Sequence, residues 1–225
     1  MPSIATNSVF FDAWKIMEEP TQIMLDLETL GTCAPAPIVE IALLPFKLQY
    51  HKEADVVQLC LPKGYEQGVF YPSVKHQVRR GSPLDLECVS WWLGQSEEAR
   101  LHLQRTLNNE EKEALALYFP IKGMRDWLTK HGVRPNDEHS CKVWAKPAAF
   151  DFPLLDSFCN LAHDTAPLWH HRAKSCLRTY VQDKPAPPMV MQQAWREGLV
   201  QHQAMSDCLA QAHDLAYAWG TTRGN

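Results

Sequence analysis

Residues 21–32 read TQIMLDLETLGT. The first six, Thr21–Asp26, form an apolar run too short for a helix and consistent with a buried strand. Asp26 and Glu28 close that run. Positions i and i+2 of a strand point to the same side, roughly 6.5–7 Å apart along the chain. Two carboxylates on one face, at the rim of a sheet, can hold a hard cation between them. The chain has 26 acidic residues, so chance alone yields about one D-x-E triplet in this length. The second such triplet, Asp85-Leu86-Glu87, stands beside Ser82 and Pro83 ahead of a helical segment. There acids ordinarily serve as helix N-terminal charges, and we read that pair as structural.

Outward from this strand, a turn-like stretch at residues 30–37 leads to a second strand candidate, IVEIALL at 38–44, and a third at 56–61. These suggest an antiparallel hairpin or meander. From Leu84 to Gly132 the apolar spacing becomes helical, with Asn109 as an N-cap, Pro120 as a stop and a shorter helix around residues 124–130. CKVWA at 141–145 looks like another buried strand. FDFPLLDSFCNLA at 150–162 then reads as a helix with Pro153 in its first turn, where a missing N–H matters little. A Pro-rich loop, KPAPPM at 184–189, precedes a last helix near residues 204–219 that Gly220 caps. Early strands, a helical middle and a strand–helix–helix end predict a single α/β domain, a mixed β-sheet flanked by helices. Residues 1–20 form an N-terminal extension with Phe10, Trp14 and Met17 on one face, and the domain occupies 21–220.

Composition excludes several classes. With 45% hydrophobic residues and eight Trp, six Tyr and eight Phe, the chain is neither disordered nor short of core. No stretch approaches the roughly 18 apolar residues needed to cross a bilayer, and the first 20 residues lack the layout of a secretory leader. A cytoplasmic location is the expectation. Seven scattered cysteines without a C-x-x-C pair read as buried thiols. A net charge of −4 argues against a protein that coats nucleic acid, but not against a small cleft where bound cations supply the positive charge.

Two further motifs carry chemistry. Asp151 follows the strand CKVWA, where a helix cap is its plain alternative. His202 precedes Asp207 by five residues, about 500° around a helix, so the pair can converge only with His202 on the preceding loop. For Asp207, in line with Gln211 and Asp214, a solvated polar face is the bland alternative.

D-x-E on the first strand, F-D opening a helix after a middle strand, and H-x-x-x-x-D opening the last helix occur in that order. This chain resembles the DEDDh (DnaQ-like) 3′–5′ exonucleases of the ribonuclease H-like fold. It looks most like the DexA-like phage exonucleases and the mycobacterial-type 3′–5′ exoribonuclease domain. DLETLGT (26–32), PIVEIA (37–42), WWLGQSEEAR (91–100) and LRTY (177–180) carry that closer match, over about residues 21–217. The chain departs from the pattern in KPAAF before Asp151, and in Cys176, where relatives commonly carry an acid.

The resemblance implies a metal-dependent 3′–5′ exonuclease that releases 5′-mononucleotides by a two-metal mechanism with Mg²⁺ or Mn²⁺. Asp26 would bridge both ions, Glu28 and Asp207 complete the first site, Asp151 hold the second, and His202 act as base. Candidate substrate contacts are Thr29, Leu30, Trp92 and Arg178. Of adjacent Trp91 and Trp92, at most one should face the core squarely. The expected partner is the 3′ end of single-stranded or 3′-overhanging DNA or RNA, and several relatives form homodimers. The rival reading is a catalytically degenerate nucleic-acid- or partner-binding module with the same fold.

Overall fold

The computed structural model describes residues 21–51, 56–61, 68–108 and 117–221. The amphipathic segment at 1–20 and the Asn109 cap lie outside them. The first strand, β1 (Thr21–Thr29), is flanked by β2 (Ile38–His51), antiparallel, and by β5 (Cys141–Ala145), parallel. β3 (Val56–Cys60) and β4 (Gly68–Phe70) both pair antiparallel with β2, and β6 (Lys174–Cys176) extends the sheet beyond β5. The order is β3-β2-β1-β5-β6, with β4 off the path beside β2. The expected meander and mixed sheet are both present.

A strand buried on both faces alternates its side chains between two cores. Ile23, Leu25 and Leu27 of β1 join one core with Met124 and Trp127 of α4 (Tyr118–Lys130) and Phe152 and Phe158 of α5 (Ala148–Leu161). Met24 joins the other core with Cys208, Ala212 and Leu215 of α8 (Ala204–Thr221). Asp26 and Glu28 share the parity of Met24. They therefore face α8, at the end of a strand whose other positions are apolar.

Of the earlier helices, α1 spans Val74–Arg79, α2 Leu86–Leu93 and α3 Glu97–Leu107. The run expected as one helical stretch divides at Gly94–Ser96, where Ser96 accepts from Ala99 N at 3.2 Å and starts α3. Asp85 caps α2, accepting from Glu87 N and Cys88 N, as its sequence context indicated. Pro120 does not stop a helix. It stands third in α4, where a missing N–H leaves no intrahelical bond unmade. α5 begins at Ala148, so Asp151 is inside the helix instead of capping it and Pro153 lies in the second turn. Gly220 is within α8, which runs on to Thr221. Three helices escaped the reading altogether: α1, α6 (Leu177–Val181) and α7 (Met189–Arg196). α7 has only eight residues, fewer than the window over which an apolar period identifies a helix.

The β1–β2 ladder shifts register between Glu28 and Thr29, directly beside the acidic pair. A bulge interrupts ladder bonding. Here Gln77, 1% exposed, supplies the missing partner: its Oε1 accepts from Ile38 N at 2.8 Å and its Nε2 donates to Ile38 O at 2.7 Å. Gln77→Leu leaves both backbone groups buried and unpaired, which should destabilise the fold by about 2–6 kcal/mol at 1–3 kcal/mol per group. Urea denaturation midpoints check this, and a loss below about 0.5 kcal/mol would show that Gln77 does not hold the bulge.

Candidate active site

Asp26, Glu28, Asp151 and Asp207 gather at one end of the central strands. Asp26 is 9% exposed, and its Oδ1 accepts a hydrogen bond from Gln211 Nε2 at 2.7 Å. Gln211 lies one turn beyond Asp207 on α8. The polar line Asp207–Gln211 therefore turns inward to the acids and is not a solvated face. Asp207 stands in the first turn of α8, and its Oδ2 accepts from His202 N at 3.1 Å. His202 sits on the loop before the helix with φ of 62°, a left-handed conformation unusual for a side-chain-bearing residue. The expected convergence of His202 and Asp207 across the loop–helix boundary is what the fold delivers. Glu28, His202 and Asp207 each offer a ligand atom, all within 4.8 Å of one another.

Burial and mutual repulsion dominate the electrostatics. Burial pushes the Asp26 carboxyl well above its ordinary range, and the charges of Asp151 and Asp207 add to it against the Gln211 bond. Burial, then Asp26, Asp207, Glu40 and Asp151, push Glu28 up to about 10. Asp151 is raised to about 7 by burial, opposed by nearby backbone N–H groups, including those of Leu27 and Lys146, and by Arg178. Asp207 is also raised by burial, with His202 and Arg196 opposing. Asp151 Oδ2 is buried without a hydrogen-bond partner among the described residues. Burial favours the neutral form of each of these carboxyls, and nearby positive charge would oppose it.

The candidate substrate contacts divide. Trp92 is 2% exposed, and its Nε1 donates to Thr29 O at 2.9 Å. Thr29 and Leu30 are also buried, with Thr29 Oγ1 donating to Gly31 O and Leu30 packed against Val39 and Trp92. All three side chains are buried, so none presents an exposed surface to a substrate. Trp91 is the exposed ring, 47% accessible, with its centroid 4.7 Å edge-on from that of His202. Arg178 is exposed and acts electrostatically on Asp151.

Sequence reasoning overlooked Glu40, which lies opposite Glu28 in the β1–β2 ladder and is 1% exposed. A lone carboxylate in the apolar run PIVEIA was the available signal.

Residues 21–219 match the family model described as the 3′-5′ exoribonuclease Rv2179c-like domain. The chain belongs to this family. Membership agrees with the DEDDh exonuclease resemblance, and the ordered acids of this exonuclease-family domain fall within the matched span. No curated protein sequence matches the chain. Among solved structures it is similar to a product-bound exonuclease I, with a TM-score of 0.51 and 14% identity, covering 91% of this chain and 45% of that one. At that identity the likeness concerns the fold, a ribonuclease H-like mixed sheet. The chain spans less than half the length of that exonuclease I.

The raised carboxyls give a pH signature in chelator. They bind protons more tightly folded than unfolded, so stability falls as pH rises. For Asp151 the fall runs from its ordinary 3.8 to about 7, and for Glu28 from 4.5 to about 10. The melting temperature of the chelated protein should therefore drop between pH 5 and pH 8, and Glu28→Gln should drop less steeply. Parallel slopes for the two proteins would show that Glu28 does not carry its proton in the folded site.

Proposed function

We propose that this domain hydrolyses the terminal phosphodiester at the 3′ end of single-stranded or 3′-overhanging nucleic acid and releases a 5′-mononucleotide. The observation that carries this reading is the convergence of Asp26, Glu28, Asp151, Asp207 and His202 from β1, α5, α8 and the loop before α8. The family description, an exoribonuclease, favours RNA. Among the described residues no helix is long and apolar enough to cross a membrane.

The donor set fits Mg²⁺ or Mn²⁺: four hard carboxylates, mutually repulsive, one with an unpartnered buried oxygen. Asp26 would bridge two ions, with Glu28 and Asp207 completing one site and Asp151 holding the other. When bound, such a pair supplies a water of lowered pKa and stabilises the leaving oxyanion. The chain's own groups do the rest. His202 would accept the proton of the attacking water, the role imidazole most often takes in such a transfer. Its ring atom lies close enough to Glu28 and Asp207 to serve instead as a ligand, and metal titration separates the roles. Trp91 offers an exposed face to a terminal base, and Arg178 a cation to a phosphate.

The purified domain, incubated with 5′-labelled RNA and DNA and Mn²⁺ or Mg²⁺, should yield a descending ladder that chelator abolishes and Asp26→Asn eliminates. Cleavage of a closed circular strand, or turnover in excess chelator, would overturn the reading. As a general base His202 contributes about 10²–10⁴-fold, so His202→Ala should lower kcat by that order with the half-saturating Mn²⁺ concentration unchanged. A large rise in that concentration would make His202 a ligand.

A further inference from the structure

The mechanism above leaves Glu40 unused, although a carboxylate 1% exposed in the middle of a sheet is expensive to desolvate unless paired. It does have partners. Glu40 Oε2 accepts from His102 Nε2 of α3 at 2.7 Å and from Ala204 N, the first residue of α8, at 3.3 Å. One oxygen thus ties the outlying helix α3 to the start of the helix that bears Asp207. On its other side, His102 Nδ1 lies 3.5 Å from Gln203 Nε2, and Gln203 Oε1 accepts from Ser206 at 3.1 Å. That second bond fixes the amide so that its nitrogen points to His102. With Nε2 donating to Glu40, Nδ1 is free to accept from Gln203, so one tautomer serves both contacts.

These bonds fix the two residues that follow His202. Its left-handed backbone persists only where the surroundings over-determine it. From the first turn of α8, Asp207 accepts its N–H. From outside, the next two residues are held by the His102–Glu40 unit: Gln203 by its side chain and Ala204 by its backbone. Resting on the exonuclease reading for its catalytic consequence, we propose that His102, acting through Glu40, is a positioning residue for His202. His102 does not itself reach the cluster of Glu28, His202 and Asp207. Its Nε2 is occupied by Glu40, and its role is to fix the loop from which the His202 ring projects beside Trp91. An isolated ion pair used only to fasten α3 to the sheet would leave the Gln203 and Ala204 contacts incidental. Their coincidence on one imidazole–carboxylate unit is what points to the loop.

The test uses the full chain with His102→Ala and His102→Gln, the latter keeping a donor for Glu40. In His102→Ala, kcat should fall about tenfold, part of the general-base contribution, while KM stays within about twofold. His102→Gln should restore most of kcat. An activity-independent readout is the ring resonances of His202, which sit at the edge of Trp91. They should shift in His102→Ala and return towards wild type in His102→Gln. A lowered melting temperature with unchanged kcat and unshifted His202 resonances, measured well below that temperature, would make His102 a structural fastener and overturn the proposal. If the wild-type chain cuts neither RNA nor DNA, the nuclease reading fails by itself, and the resonances alone decide whether His102 positions His202.

Discussion

The constraint on which the structure turns is the burial of like charges at one end of β1. Asp26 and Glu28 occupy alternate positions of a strand that is buried on both faces, so both must point into the layer beneath α8. Water is largely excluded there, and Asp151 and Asp207 arrive from two other elements. Desolvation and repulsion together hold the Asp26 and Glu28 carboxyls far above their usual range. A fold that builds this arrangement invests core stability in it, because the same strand positions filled by apolar side chains would pack without penalty. The burden makes sense at a site that receives external positive charge.

Much of the surrounding architecture holds this strained end in place. Gln77 completes the hydrogen bonding of a register shift next to Glu28. Trp92 fastens the carbonyl of Thr29 with its indole N–H, and Gln211 occupies an oxygen of Asp26. Each is a buried polar side chain with a defined partner, and buried polar networks specify one geometry because alternatives leave groups unpaired. The chemistry-bearing residues are therefore few, while the residues that orient them come from α1, α2 and α8.

The arrangement of α3 and α8 around Glu40 extends this logic to the loop. His202 has an uncommon backbone conformation directly before a helix N-terminus that Glu40 anchors. Holding the His202 imidazole on a loop, and not within the helix, lets it approach Asp207 from a direction that helical periodicity forbids. The loop then needs external supports, and Glu40, His102 and Asp207 supply them.

The sequence by itself determined the strand that ends in Asp26 and Glu28, the antiparallel partner at Ile38 and the helix that carries Asp207. Each is a local pattern: an apolar run, an alternation or a three-to-four spacing. It also determined the order of the acids, and with that order the family resemblance. Only the tertiary structure decided which tryptophan is buried, that Gln211 faces Asp26 and that Glu40 joins His102 to Ala204. Those facts depend on contacts between residues up to 185 positions apart, and no local period encodes them. α7 went unread because its eight residues, directly after a Pro-rich stretch, are too few for a helical period to stand out. Gly94–Ser96 broke an expected helix because a cap's hydrogen bond is settled by backbone geometry, which residue spacing does not report. Local patterns survive translation into a string of letters, whereas the pairing of buried polar groups is fixed only when distant elements meet.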